Sequence, residues 1–163
     1  MQTFLSEYSF TESAQVLDTK RLVKQLLEGR QIFSVLSGNT NAWKNHPAVK
    51  MWRGYELALY NYLYCIAQEM ADRGYKYENN LNEINRIYDE HFVDRPHSEP
   101  EWMLDVNNFD RVVRTHRRSL YKKDPIHYAQ YEKYENAVAD VCCDRCRYYW
   151  PVKGHGERAI INT

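Results

Sequence analysis

The sequence contains no run of about 18 apolar residues, so no segment of it reads as a membrane-spanning helix. The N-terminus also lacks the basic stretch followed by an apolar one that marks a secretory signal. Both absences lead to the expectation of a soluble, cytoplasmic protein that does not engage a membrane. Net charge is missing as well, because 22 Lys and Arg balance 22 Asp and Glu. A neutral chain does not coat nucleic acid diffusely, although a local basic face stays open to it. Internal repeats, low-complexity tracts and a linker-like stretch are absent too, which leaves one domain over residues 1–163 as the expectation.

What is present is ordinary for a globular chain, with 44% hydrophobic and 27% charged residues. Tyrosine is the exception, with 14 copies against 5 phenylalanines. Tyr carries a polar tip on an aromatic body, so many of these rings are expected at a surface, an interface or a ligand. Cys65 falls in an apolar helical pattern and reads as a reduced core cysteine.

The apolar period is helical throughout. Asp18–Leu36 repeats Leu22, Val23, Leu26, Leu27, Phe33 and Leu36 at spacings of three, four and seven, the signature of a helix packed on one side. Asp18 or Thr19 can cap it. The opposite stripe carries Arg21, Lys24, Gln25, Glu28 and Gln31. Gly29, costly inside a helix, suggests a close approach by another chain segment or a ligand. Before it, 2–5 reads as extended, and Thr11 or Ser13 can cap a small helix ending at Val16. After the turn cluster 37–41, Pro47 sits at the first position of a helix expected over 48–73, with Val49, Trp52, Leu59, Tyr62, Leu63, Ile66 and Met70 inward. Gly74 is placed to end it. Further helices are expected over 81–91, 106–122 and 127–141, the second burying Phe109, Val112, Val113 and Leu120. The fold class is therefore all-α, a single domain of about four to five helices with a loop-rich aromatic C-terminal tail.

Four groups of residues could carry chemistry. Glu28 is either a solvated partner of Lys24, one turn away, or a carboxylate held among cations for a purpose. Arg111, Arg114, His116, Arg117, Arg118, Lys122 and Lys123 make 106–122 and its end strongly basic, either as a solvated face or as a row of phosphate contacts. Tyr148, Tyr149 and Trp150, flanked by Arg147 and Lys153, suit base stacking or else pin the tail to the core. Cys142, Cys143, Cys146 and His155 contain only one half of a structural zinc pattern, so no metal is assigned. His46 reads as a hydrogen-bonded residue in a polar knot between helices.

Four ordered motifs then form a recognisable set. They are Leu17-Asp18-Thr19-Lys20-Arg21-Leu22-Val23-Lys24-Gln25, then Asn45–Glu56 (NHPAVKMWRGYE), Arg73-Gly74-Tyr75, and His116–Tyr128 (HRRSLYKKDPIHY). Through them the chain resembles the pyrimidine-dimer DNA glycosylases of the endonuclease V type, in the bacterial and phage branch with the NHPAV-x-MW-x-GYE motif. The resemblance runs from about residue 2 to 151.

The resemblance implies a DNA repair glycosylase with abasic-site lyase activity on damaged or modified pyrimidines in duplex DNA. In that family the N-terminal α-amine attacks C1′ of the damaged nucleotide, a glutamate on the first long helix assists, and the imine permits β-elimination. Laying that helix on this one puts the glutamate at Glu28. An α-amine, with an ordinary pKa of roughly 7.7–8.0, is partly unprotonated at neutral pH. The family processes its chain to a small second residue, whereas Gln2 stands here, so Met1 supplies the amine, or Gln2 does after unusual processing, or the lyase activity has been lost. Arg21 falls where the family has a histidine, and Arg30 lies one place from a family arginine. The resemblance further implies Arg21, Lys24, Arg30 and His46 around the site. It places Arg114, Arg117, Arg118, Lys122, Tyr148, Tyr149 and Trp150 on DNA, with no cofactor, no metal and a monomer. The rival expectations are a non-catalytic module recognising distorted or modified DNA, and a helical protein whose tyrosines bind another protein.

Overall fold

Asp18 begins the longest element of the N-terminal half by accepting the Arg21 amide N–H on its side chain at 3.1 Å. From there α2 (Thr19–Leu36) runs 18 residues, preceded by a short α1 (Phe10–Gln15) capped by Ser9. The computed structural model describes residues 1–136 and 147–152. Every regular element among them is helical: α3 (Pro47–Lys50), α4 (Glu56–Asp72), α5 (Glu78–His91), α6 (Glu101–Leu104), α7 (Val106–Lys123) and a 3₁₀ helix (Ala129–Tyr134) follow in order. The class is all-α. The chain divides into two compact units, Met1–Phe4 with Ser9–Pro100, and Leu5–Tyr8 with the chain from Glu101 onward.

In the first unit α2 lies against α4 and α5. Its buried stripe is Leu22, Gln25, Leu26, Gly29, Ile32 and Phe33. The expected face is therefore rotated. Val23 and Leu27 are 41% and 39% exposed, while Gln25, assigned to the polar stripe, is buried at 1%. Gln25 goes inward because it has a backbone partner there, the amide N–H of Phe4 at 2.8 Å. Gly29 meets the close approach its cost suggested: a Cβ there would fall 2.8 Å from Leu63 Cδ1 and 2.9 Å from Leu63 Cγ.

The helix expected over 48–73 is two helices. Gly54 takes a left-handed φ of +86°, which ends the helical path, and the Glu56 carboxylate folds back to accept the Gly54 N–H at 3.0 Å. The inward residues are as expected, from Val49 and Trp52 through Met70, each buried to 1% or less. Gly74 closes α4 at φ +75°, with the Tyr75 N–H donating to the Met70 carbonyl at 2.8 Å. Cys65 is partly exposed, not a core residue, with its sulfur 3.6 Å from the Thr11 hydroxyl.

In the second unit α7 is capped by Asp105 and buries Val112, Val113, Thr115, His116, Ser119 and Leu120. Phe109 is only half-buried, edge-on to Trp102 and Tyr8. Of the helix expected over 127–141, the described part is a turn followed by the 3₁₀ helix, with the His127 N–H donating to Asp124 Oδ1 at 3.0 Å. Residues 137–141, like Cys142, Cys143, Cys146, Lys153 and His155, lie outside the described residues.

Candidate active site

The first four residues form no helix, yet the three after Met1 are almost entirely enclosed, with Gln2 at 5% exposure, Thr3 at 0% and Phe4 at 5%. Three side chains hold them. Gln25 accepts from the Phe4 N–H, Trp52 Nε1 donates to Thr3 Oγ1 at 2.9 Å, and the Tyr62 hydroxyl lies 3.0 Å from both the Phe4 carbonyl and Gln25 Oε1. Complete burial pushes the Tyr62 phenol well above its ordinary pKa, so it remains a hydroxyl able to donate. Fixing the backbone in this way fixes the end of the chain.

That end meets Glu28. One carboxylate oxygen accepts the Gln2 N–H at 3.0 Å, and the other lies 3.6 Å from the Met1 α-amine. Lys24 Nζ is 3.7 Å from the same oxygen, at the head of a side chain 63% exposed, while the Glu28 side chain is 12% exposed. Glu28 is thus more than a solvated partner of Lys24. It is a shielded carboxylate between an amine, a backbone amide and an ammonium, a setting in which charge interactions are stronger than in open water.

Met1 also borders a cavity of about 380 Å³, together with Arg30, Gln31, Thr40, Trp43 and Glu83. The remaining candidates are placed unevenly. Arg21 pairs with Asp18 at 2.7 Å and reinforces the helix cap. His46 caps α3, its Nδ1 accepting the Ala48 N–H at 3.1 Å, and its ring stands edge-on to Trp43 at 5.8 Å.

Within the second unit, several residues assigned to DNA face protein. Arg117 is 13% exposed and donates to the Ser6 carbonyl at 2.6 Å, the Tyr134 hydroxyl at 2.7 Å and Glu7 at 2.5 Å. Glu7 in turn accepts from the Tyr131 hydroxyl. His116, counted with the cations, is fully buried, and its Nδ1 accepts the Leu5 N–H at 2.9 Å. Burial pushes its pKa down to about 3, so it is neutral. Tyr149 and Trp150 are 8% and 6% exposed; Arg111 stacks on the Tyr149 ring at 3.9 Å, and the Tyr149 N–H donates to Thr115 Oγ1 at 3.1 Å. Tyr148 is half-buried, its hydroxyl 3.2 Å from Ser119 Oγ. These rings pin the tail to α7, and in this placement Tyr149 and Trp150 present no face for a base. Arg114, near Asp110 at 3.5 Å, Arg118, bonded to the Glu135 carbonyl at 3.0 Å, and exposed Lys122 lie on the outer side of α7.

The sequence reading missed Gln25, Trp52 and Tyr62 as the clamp on the amino terminus, and Thr3 as the residue Trp52 holds. A glutamine on the buried stripe of α2 was the available signal. It also passed over Trp43, a lone aromatic in a polar turn.

Residues 1–83, half of the chain, match the family model described as pyrimidine dimer DNA glycosylase. The chain belongs to that family. No curated protein and no solved structure matches it. The pyrimidine dimer DNA glycosylase match takes in Met1, Gln2, Glu28, Arg30, Trp43 and His46, and ends within α5, ahead of the basic helix α7. It makes the chain one of a DNA repair glycosylase family, whose substrate is DNA. No described helix is long and apolar enough to cross a membrane.

Proposed function

We propose that the protein is a DNA glycosylase with abasic-site lyase activity, in which the amine at the chain's start is the nucleophile and Glu28 handles its proton. The observation that carries this reading is the carboxylate 3.6 Å from the Met1 α-amine and 3.0 Å from the Gln2 nitrogen. Either nitrogen, as the terminal amine, would have the same acceptor within reach. The nitrogen lone pair forms a bond to C1′, the glycosidic bond breaks, and its electron pair leaves with the base. The amine gives up its proton to Glu28, and opening of the sugar leaves an imine. Loss of a C2′ proton then expels the 3′ phosphate by β-elimination, and water releases the amine. The carboxylate also stabilises the cationic iminium, a preorganised charge where charge develops. Arg30 and Lys24 near this group, with Arg114, Arg118 and Lys122 on α7, supply phosphate contacts.

The test is borohydride trapping on a duplex carrying an abasic site, with mass spectrometry of the adduct. A covalent product on the N-terminal residue is expected, identifying Met1 or Gln2. Glu28→Gln should lower its rate roughly 100-fold or more while DNA binding persists. Binding without any adduct would instead point to a DNA-recognition module, and full activity of the variant would remove Glu28 from the chemistry.

A further inference from the structure

We infer that Lys24 is a second imine-forming amine of this site, attacking an abasic sugar from the same carboxylate that serves the start of the chain. The inference rests on the proposed lyase reading for its substrate. It goes beyond that reading in naming a side-chain amine that does not depend on how the first residue is processed.

Three observations carry it. The first is a shared acceptor. Glu28 Oε2 is taken by the Gln2 N–H at 3.0 Å, whereas Oε1 faces two primary amines, the Met1 α-amine at 3.6 Å and Lys24 Nζ at 3.7 Å. One oxygen atom therefore stands ready to take a proton from either nitrogen. A sugar carbon brought up to one amine is within reach of the other, because lysine carries its nitrogen on a flexible four-carbon stem.

The second is mobility. At 3.7 Å the Lys24 contact is an ion pair without a hydrogen bond, on a side chain largely in water. Exposed pairs of this kind are held weakly, so the ammonium leaves Glu28 for a substrate at little cost. Glu28 stays in place, shielded and bonded to the Gln2 backbone. The third is chemical identity. A cation needed only to hold phosphate is served better by arginine, whose planar fork binds at two points. A lysine, unlike an arginine, gives up its proton and becomes a nucleophile. Lys20 supplies the comparison on the same helix: it is exposed, but the residue one turn ahead of it is Lys24 and not a carboxylate.

The step balances without a further reagent. Glu28 takes a proton from the Lys24 ammonium, and the freed lone pair bonds to C1′ of the ring-opened sugar while the carbonyl π pair moves onto oxygen. That oxygen gains one proton from the nitrogen and one from Glu28, and departs as water with the C1′–O electron pair. The nitrogen lone pair closes the iminium, and Glu28 is a carboxylate again. At neutral pH an ordinary lysine is unprotonated less often than an α-amine by roughly 100-fold or more. The terminal amine thus takes the substrate first when it is free, and Lys24 takes it when the terminus is blocked.

The experiment uses the full chain with its α-amine free or acetylated, as wild type and Lys24→Arg, on a duplex carrying one abasic site. Borohydride-trapped adducts are located by peptide mass spectrometry. Acetylated wild type should still be trapped, on Lys24, roughly 100-fold more slowly than the free form. Acetylated Lys24→Arg should give no adduct while binding the duplex within about 3-fold of wild type, since arginine keeps the charge. Absence of an adduct on acetylated wild type, an adduct surviving in acetylated Lys24→Arg, or equal labelling of Lys20 and Lys24 would each overturn the assignment. The free form separates this idea from the one it rests on. An adduct on the terminal residue with none after acetylation keeps the lyase reading and removes Lys24. Trapping on Lys24 in both forms, and never at the terminus, keeps Lys24 and removes the terminal amine from the chemistry.

Discussion

Replacing Gly29 by alanine sets two known effects against each other, and the structure says which wins. Alanine gains about 1 kcal/mol of helix propensity over glycine in a helix interior. Against this, the new Cβ would lie inside the Leu63 side chain, under 3.0 Å from its Cγ and Cδ1. Leu63 is fully buried, so its methyl groups can move only into other core residues. Overpacking of this kind typically costs about 1–3 kcal/mol. Because Cγ is crowded as well as the methyl ends, the upper part of that range applies. The net expectation is a loss of about 1–2 kcal/mol, or roughly 2–8 °C in Tm for a chain of this length. The cycle with Leu63→Ala sharpens the test. That substitution alone should cost about 2–5 kcal/mol, and in its background Gly29→Ala should turn stabilising by up to about 1 kcal/mol. Urea unfolding of the four proteins reads the coupling. If Gly29→Ala stabilises equally in both backgrounds, the close approach of α2 and α4 is wrong.

Acidification should weaken the fold through His116. The unfolded histidine binds a proton near pH 6.5 and the native one near 3. Stability from this residue is therefore complete above about pH 6.5 and falls by about 1.4 kcal/mol per pH unit below it, until pH 3; His116→Asn should lack this part of the slope, and parallel curves would contradict it. Gln25→Leu leaves the Phe4 N–H buried without its acceptor, for a loss of about 1–3 kcal/mol by urea melt, with slower imine trapping as the terminus loosens; unchanged stability would mean the clamp is not real. Arg117→Lys cannot span Ser6, Tyr134 and Glu7 together and should cost about 2 kcal/mol. It should also leave the salt slope of DNA binding in place, since its guanidinium faces protein, and a slope reduced by about one would show the opposite.

The parts of the fold legible in the sequence are those decided locally. Asp18 as a cap, Gly74 as a terminator and the inward row from Val49 to Met70 each follow from a few neighbouring residues. What escaped depends on partners far along the chain. Gln25 looks like a surface residue until Phe4, 21 positions earlier, presents its amide. Arg117 looks like a phosphate ligand until Glu7, 110 positions away, meets it. The break at Gly54 was hidden because the apolar period continues across it, and a left-handed φ leaves no trace in periodicity. At the candidate site, Glu28 stood out only by resemblance to a family, since its spacing to Lys24 is that of any surface pair. Its enclosure by Met1 and Gln2 is a tertiary fact.

The opening eight residues have a consequence for how the protein is made. They leave the ribosome well before the groups they bind: Leu5 waits for His116 and Glu7 for Arg117 and Tyr131, partners 110 to 124 residues downstream. At about 5–20 residues per second, those partners are translated roughly 5–25 s later. Contacts of such long sequence separation also close slowly. Throughout that interval residues 5–8 wait for the groups that enclose them, so this segment, synthesised before its partners, is among the last to reach its native surroundings.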